Sequence, residues 1–284
     1  MEERERSLFF AVVPAQNEAG RIGKVMDELL TTFVDVVVPV VNGSTDGTLA
    51  EVAAFPLRRI RPLFFPEALG LDVPRAIGAA YAFKEGAAVV LFVDGDMTQV
   101  PGTVLQKLMD RVGTNGTDLA LTDCYPPGTT PPNSPVSKRL VRFRRELNHC
   151  LAMPQLGPSS PAHGPHAVSR RFLETIPLVE LATPPVALCL AARAGLNITI
   201  GASIPHCELG SPSRGSLHST RIAATIIGDY LEALAICRNQ PRSREDGRFY
   251  YDGYDSFRRR DILAAYLETH SISPSNLTGQ PIWG

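Results

Sequence analysis

Two aspartates separated by one glycine, Asp94-Gly95-Asp96, follow directly on the apolar run Val89-Val90-Leu91-Phe92-Val93. That run is rich in β-favouring residues and ends in turn residues, so it predicts a strand buried on both faces. Its end delivers two carboxylates to solvent, and ligands of open α/β sheets bind beyond the carboxyl ends of the strands. Two hard oxygen donors there suit Mg²⁺ or Mn²⁺, and such a cation suits a nucleotide diphosphate. A lone D-x-D is a weak signal, because aspartate also ends strands as a turn former.

The elements upstream repeat the arrangement. A first apolar run, Leu8 to Val13, stops at Pro14-Ala15-Gln16-Asn17-Glu18-Ala19-Gly20, and a helical pattern of Ile22, Val25, Met26, Leu29 and Leu30 begins. A second run, Val34 to Val41, stops at Asn42-Gly43-Ser44-Thr45-Asp46-Gly47-Thr48. Each strand therefore ends in a polar loop that opens a helix, which is how backbone N–H groups and a carboxylate grip a nucleotide. Asn, Gly and Asp are also ordinary turn residues, so one such loop says little; three on successive strands say more.

Together these residues resemble the nucleotide-sugar glycosyltransferases of the glycosyltransferase-A fold, in particular the family 2 type. Pro14-Ala15-Gln16-Asn17-Glu18 is similar to that family's P-A-x-N-E loop, the Asn42–Thr48 stretch to its second loop, and Asp94-Gly95-Asp96 to its metal motif. The resemblance implies a single Rossmann-like α/β domain with a mostly parallel central sheet. It implies a nucleotide-binding set of Pro14, Ala15, Asn17, Glu18, Asn42, Gly43, Ser44 and Asp46, with Glu18 and Asp46 on the nucleoside. Asp96 would hold the metal, Mg²⁺ or Mn²⁺, and Asp94 would lie near the ribose or donor sugar. The substrates implied are a nucleotide-diphosphate sugar and an acceptor.

The second half is similar to the glucosyl-3-phosphoglycerate synthases within that fold. His206-Cys207-Glu208-Leu209-Gly210, followed by Arg214 and Leu217-His218, resembles their acidic-Leu-Gly turn before a metal-binding histidine. That match makes His218 the third metal ligand and His206 the reserve. Ser160 to Arg171 resembles their P-L-x-G-E-Y-A-x-R-R segment, which lines the sugar and acceptor pocket; it nominates His163, Gly164 and His166 for the acceptor. The family's Glu-Tyr pair is here Pro165-His166. Two more departures stand out. The family's diphosphate-binding Gly-Lys-Gly is Leu69-Gly70-Leu71-Asp72, leaving Arg75 as the nearest cation. The helix beginning Thr183-Pro184-Pro185 lacks the carboxylate pair of inverting members, leaving Glu180 as the candidate catalytic acid or base beside Asp94 and Asp96. A missing base fits a retaining mechanism, an acceptor that is already anionic, or a relative that binds without turnover.

Lys138, Arg139, Arg142, Arg144 and Arg145 cluster on one expected helix, where Lys138, Arg142 and Arg145 share a face. The face is either simply solvated or, through Lys138, Arg139 and Arg142, an acceptor-binding site, since arginine grips phosphate bidentately. A small phosphoglycerate-like anion fits that site; a polyprenyl phosphate is the alternative acceptor, and a non-catalytic nucleotide-sugar-binding relative the alternative class.

Strands are expected near 8–13, 34–41, 59–65, 88–93, 117–123, 162–168 and 197–204, with helices between and after them, the longest at 216–237. Five prolines within residues 125–135 mark a loop between a nucleotide-sugar-binding half, 1–124, and an acceptor-binding half, 125–240; residues 241–284 form a tail. Twenty-eight basic against 29 acidic residues leave a net charge of −1, which recruits no nucleic acid. No apolar run is long enough to span a membrane. The charged start Met1–Arg6 lacks a signal-peptide core, and five scattered cysteines without a C-x-x-C pair read as reduced thiols; both lead to a cytoplasmic expectation. The stripe Ile222, Ile226, Ile227, Tyr230, Leu231 and Leu234 is expected to be core or the face of a homodimer.

Overall fold

The computed structural model describes residues 7–129, 133–212 and 215–272. Met1–Arg6, residues 130–132 of the proline-rich segment and Arg214 lie outside them. One sheet of seven strands runs through the molecule: β1 (Leu8–Ala15), β2 (Val36–Asn42), β3 (Leu63–Phe65), β4 (Ala87–Phe92), β5 (Leu119–Asp123), β6 (His166–Ser169) and β7 (Ile198–Ser203), in the order β3-β2-β1-β4-β6-β5-β7. All neighbours pair in parallel except β6, which runs antiparallel between β4 and β5. The helices are α1 (Ile22–Leu30), α2 (Thr48–Ala53), α3 (Val73–Lys84), α4 (Gly102–Asn115), α5 (Pro135–Cys150), α6 (Arg170–Thr175), α7 (Pro184–Arg193), α8 (Ser216–Cys237) and α9 (Arg260–Thr269). The mostly parallel α/β fold expected from the sequence is the fold observed.

Alternation along the strands sorts the core into two layers. Phe10, Val12, Val38, Val40, Val90 and Phe92 pack on one face, with α3, α7 and α8. Ala11, Val13, Val37, Val41, Val89 and Leu91 pack on the other, with α1 and α4. A parallel sheet needs both faces covered, which is why its central strands read as uninterrupted apolar runs. Parallel pairing also sends the ends of β1, β2 and β4 to one edge, and antiparallel β6 starts at that same edge.

Two expectations are corrected. The strand near 59–65 shortens to Leu63–Phe65, with Ile60 making only an isolated bridge to Val37; Pro62 between them has no N–H to give the ladder. The five cysteines are not all free thiols: Cys150 and Cys237, both at helix ends of the packed α5–α8 pair, are joined in a disulfide. Only Cys124, Cys189 and Cys207 remain free, so cysteine usage no longer argues for a reducing compartment. In the stripe on α8, Ile227, Tyr230 and Leu234 are core residues packed with α5 and α7. No helix among the described residues is long and apolar enough to cross a membrane.

The segment before α9 is clamped to α8 and to the start of α3 by charge. The Arg258 side chain has no solvent exposure; it donates to both carboxylate oxygens of Asp229 at 2.7 Å and to Asp255 at 2.7 Å. Its Nε donates to the Leu71 carbonyl, and its other side meets Asp72 at 3.4 Å. Beyond Asp229, Arg244 bridges Asp229 and Glu232 at 2.8 and 2.7 Å. Gly70 closes the fit: its φ is +81°, and a Cβ there would stand 2.5 Å from the Phe257 carbonyl oxygen. Removing one partner of a buried ion network leaves uncompensated charge. Arg258→Met is expected to destabilise the fold by about 3–5 kcal/mol, seen as a lower urea midpoint with little change in slope.

Candidate active site

The loops after β1 and β2 interlock through backbone donors. Asn17 adopts φ 58°, a left-handed conformation that asparagine tolerates, and its Oδ1 accepts from Thr45 N at 2.9 Å. In return Asn17 N donates to Ser44 Oγ at 3.1 Å. Asp46 accepts from Ala19 N at 3.1 Å and from Thr48 N at 3.0 Å, and Glu18 N donates to Thr48 Oγ1 at 2.7 Å. Glu18 and Asp46, distant in sequence, thus belong to adjoining loops on one edge of the sheet. Burial would raise the Asp46 carboxyl, but the hydroxyl and backbone donors of Thr48 and Ala19 outweigh it and hold it below its ordinary value. Glu18 is buried and accepts from Arg21 Nε at 2.5 Å.

Asn42 ties the second loop in place: Nδ2 donates to the Ala15 carbonyl at 3.1 Å and Oδ1 accepts from Leu69 N at 3.0 Å. Gly43, at φ +51°, lies where a Cβ would come within 2.6 Å of Ala68 N and Cα, so the chain crosses there only without a side chain. Pro14 and Ala15 form the floor. Gly95 N donates to the Pro14 carbonyl at 3.1 Å, and a Cβ at Gly95 would meet that oxygen at 3.0 Å and Ala15 Cβ at 3.4 Å. The glycine of the D-x-D therefore presses the two-aspartate loop against the first loop.

Asp94 and Asp96 are both half-buried at the carboxyl edge. Asp94 Oδ1 accepts from Arg75 at 2.7 Å; Arg75 is buried and also meets Asp72 Oδ1 at 2.5 Å. Burial raises the Asp72 carboxyl, and the Arg75 and Arg258 charges only partly offset it. Asp96 Oδ1 accepts from Ser211 Oγ at 3.0 Å. The turn that carries Ser211 docks on the same loop: Gln99 N donates to the Leu209 carbonyl at 3.3 Å, and a Cβ at Gly210 would collide with Gln99 N at 2.7 Å. The Glu208-Leu209-Gly210 turn singled out in the sequence thus lies beside the D-x-D.

His218 stands in the first turn of α8, with Nδ1 3.0 Å from the Tyr254 hydroxyl. His206 is exposed, and its Nδ1 lies 3.0 Å from His163 Nε2. Tyr125 stacks over both imidazoles, 5.4 Å from His163 and 6.1 Å from His206 between ring centroids. His166 pairs with Phe92 across β4 and β6 and stacks on its ring at 4.9 Å. Gly164, at φ +77°, has Cys124 Sγ 2.7 Å from where a Cβ would be. Glu180 accepts from Arg242 at 2.7 Å, and Arg242 also holds Glu232, so it belongs to the far end of the ion network. Lys138 and Arg142 are exposed on α5, and exposed Arg139 pairs with Asp246 at 2.9 Å and lies over the Tyr251 ring.

One residue of the basic cluster behaves unlike the rest. Arg144 is 3% exposed, on the inner face of α5 with Leu147 and Asn148. Helical spacing from Leu140 through Arg144 to Leu147 carried that signal in the sequence, since i, i+4 and i+7 share a face. Arg258, Asp229 and Tyr125 carried no such signal.

The glycosyl transferase family 2 model matches residues 10–173. No curated protein sequence matches the chain significantly. Among solved structures, glucosyl-3-phosphoglycerate synthase from Mycobacterium tuberculosis in complex with Mn²⁺, uridine diphosphate and glucosyl-3-phosphoglycerate is similar, with a TM-score of 0.60 and 21% identity over 84% of this chain and 82% of that one. The same synthase with Mn²⁺, UDP-glucose and phosphoglyceric acid gives 0.59 and 21%, again over 84% and 82%. With Mg²⁺ and uridine diphosphate it gives 0.59 and 20%, over 84% and 81%. Likeness at that identity carries the fold.

Burial, with the Arg75 charge behind it, pushes the His166 imidazole from 6.5 down to about 3. The folded state therefore binds fewer protons than the unfolded chain between those values, and stability is present above pH 6.5 and lost as pH falls. From this group alone the fold is expected to lose about 2 kcal/mol between pH 7.5 and pH 5. Urea titrations at both pH values should show a smaller loss in His166→Gln than in the unsubstituted chain.

Proposed function

The chain belongs to glycosyl transferase family 2, and from that membership we propose that it moves a sugar from a uridine-diphosphate sugar to a small anionic acceptor of the phosphoglycerate type, with Mg²⁺ or Mn²⁺ as cofactor. The observation that carries this reading is the convergence of three loops on one sheet edge, with Gly95 seated on the Pro14 carbonyl. That contact sets the two aspartates beside the Asn17–Asp46 interlock, so a nucleoside at Glu18 and Asp46 has its diphosphate at Asp94 and Asp96. The donor set fits a hard divalent cation: two carboxylates on one short loop, both half-buried and open to the edge. When bound, such a cation neutralises the leaving diphosphate.

In this reading Pro14, Ala15, Asn17, Glu18, Asn42, Gly43, Ser44 and Asp46 hold the nucleotide, Asp96 is the metal ligand, and His218 the third ligand. Arg75 holds Asp94 in place from a buried position and supplies the cation that the family's lysine supplies elsewhere. Residues 1–124 make the donor half and 125–240 the acceptor half. His163, Gly164 and His166 line the acceptor side, and Lys138, Arg139 and Arg142 present a basic rim to it.

Glu180, the sequence candidate for a base, is held by Arg242. That favours a retaining transfer, in which the acceptor's proton passes to the departing diphosphate and no side-chain base is needed. Incubation with UDP-glucose, Mn²⁺ and phosphoglyceric acid is expected to give an α-linked product by the anomeric proton coupling; a β-linked product would overturn retention.

Asp96→Ala removes a charged oxygen without touching core packing. It is expected to abolish most of the Mn²⁺-dependent rise in melting temperature produced by uridine diphosphate, while the ligand-free melting temperature stays near that of the unsubstituted chain. Equal binding of uridine diphosphate by both proteins in calorimetry with Mn²⁺ would sink the donor site.

A further inference from the structure

Buried guanidinium groups in this fold are met by carboxylates. Arg75 has Asp72 and Asp94, Arg244 has Asp229 and Glu232, and Arg258 has Asp229 and Asp255. Arg144 is the exception. It is 3% exposed, no carboxylate among the described residues pairs with it, and its Nε is buried without an acceptor. Its partners are neutral phenols: it donates to the Tyr125 hydroxyl at 3.4 Å and to that of Tyr230. Tyr230 in turn donates to Ser160 Oγ, and neighbouring Ser159 has a buried hydroxyl with no partner. Burial, Arg144 and, for His163, its neighbour His206 hold both imidazoles below their ordinary value, so neither adds a counter-charge to Arg144.

A buried charge without a counter-charge costs several kcal/mol, so its retention calls for a physical reason, and completion by an anionic ligand is one. The cluster also lies where an acceptor must be. Tyr125 follows β5, His163 precedes antiparallel β6 and His206 follows β7, so all three meet at the sheet edge that bears Asp94 and Asp96. The His206–Ser211 turn runs from this cluster to Asp96 itself. The stack of three rings reaches solvent at His206.

We propose that Arg144, with the hydroxyls of Tyr125 and Tyr230 and the His163–His206 pair, forms a subsite for one oxyanion, the phosphate or carboxylate of the acceptor. This rests on the acceptor class argued above. It moves the anion contact from the exposed face of α5 to its buried face, where a guanidinium meets an oxyanion without competition from bulk water. A single buried guanidinium of this kind suits a compact anion and leaves Lys138 and Arg142 as a solvated rim.

Calorimetric titration of the full chain with inorganic phosphate tests it. One phosphate per chain is expected, with affinity weakened on the order of tenfold or more in Arg144→Gln, largely restored in Arg144→Lys, and weakened far less by Lys138→Gln or Arg142→Gln than by Arg144→Gln. Phosphate is also expected to shift the imidazole NMR signals of His163 and His206 in the unsubstituted chain. That measurement and the milder Tyr125→Phe, expected to weaken phosphate a few-fold, decide the matter if Arg144→Gln does not fold. Phosphoglyceric acid should displace phosphate; simultaneous binding of both would make the site one for a free ion rather than the acceptor, and would overturn the proposal. So would undiminished phosphate binding in folded Arg144→Gln, or imidazole signals that ignore phosphate. Binding of uridine diphosphate with Mn²⁺, measured on the same proteins, is expected to be equal in all of them; its absence from the unsubstituted chain would overturn the donor reading and leave the phosphate result standing.

Discussion

A guanidinium without solvent contact, Arg258, ties the segment before α9 to α8 and to the start of α3. It reaches from the segment before α9 to Asp229 on α8 and to Asp72 at the start of α3, and Asp72 passes the connection to Arg75 and so to Asp94. Every charge in that series is within hydrogen-bond reach of an opposite one or nearly so. In a low-dielectric interior such a chain is worth having only when complete, because each unpaired member would carry its full desolvation cost. The consequence is geometric. The carboxylate at the sheet edge is held by an arginine whose own place is fixed by the far end of the molecule.

The carboxyl edge is organised by backbone more than by side-chain charge. Asn17, Ser44, Asp46 and Thr48 spend their polar atoms on N–H groups of the neighbouring loop, while Gly43 and Gly95 let two crossings come close enough for contact. These bonds cost little when a ligand arrives, because the loops already hold their shape; preorganisation of this kind is what makes a polar site effective. The edge beside β5, β6 and β7 is built differently. His163, His166 and His206 have imidazoles held below their ordinary value, with the Arg75 charge acting on His166 and the Arg144 charge on His163 and His206. One part of the edge gathers the carboxylates Asp94 and Asp96, and the other gathers imidazoles and phenols around the Arg144 guanidinium.

Local pattern was enough for much of this. The apolar runs ending at Pro14, Asn42 and Asp94 are strands because β-branched residues buried on both faces leave no polar stripe, and the loops that end them have the turn residues of strand–helix junctions. Glu18, Asp46 and Asp96 were legible because each sits a fixed step past such a strand, and parallel strands send those steps to one edge. The long α8 and the Leu209-Gly210 turn were legible for the same reason: their signals are contained in a few consecutive residues.

What only the tertiary structure decided are facts that join distant segments. The antiparallel direction of β6 depends on which neighbours it pairs with, and a four-residue strand carries no mark of that. The Cys150–Cys237 bond follows from α5 packing on α8, across a separation no spacing rule covers. Arg139, Arg142 and Arg144 are one basic cluster in sequence; packing left the first two in solvent and buried the third. Glu180 is a candidate base by its place in the sequence, and only packing sets Arg242 opposite it. Arg258 reads as one charge among several in an ordinary tail. Electrostatic roles are set by what stands opposite a group and how far it is from water, and neither is written in the residues beside it.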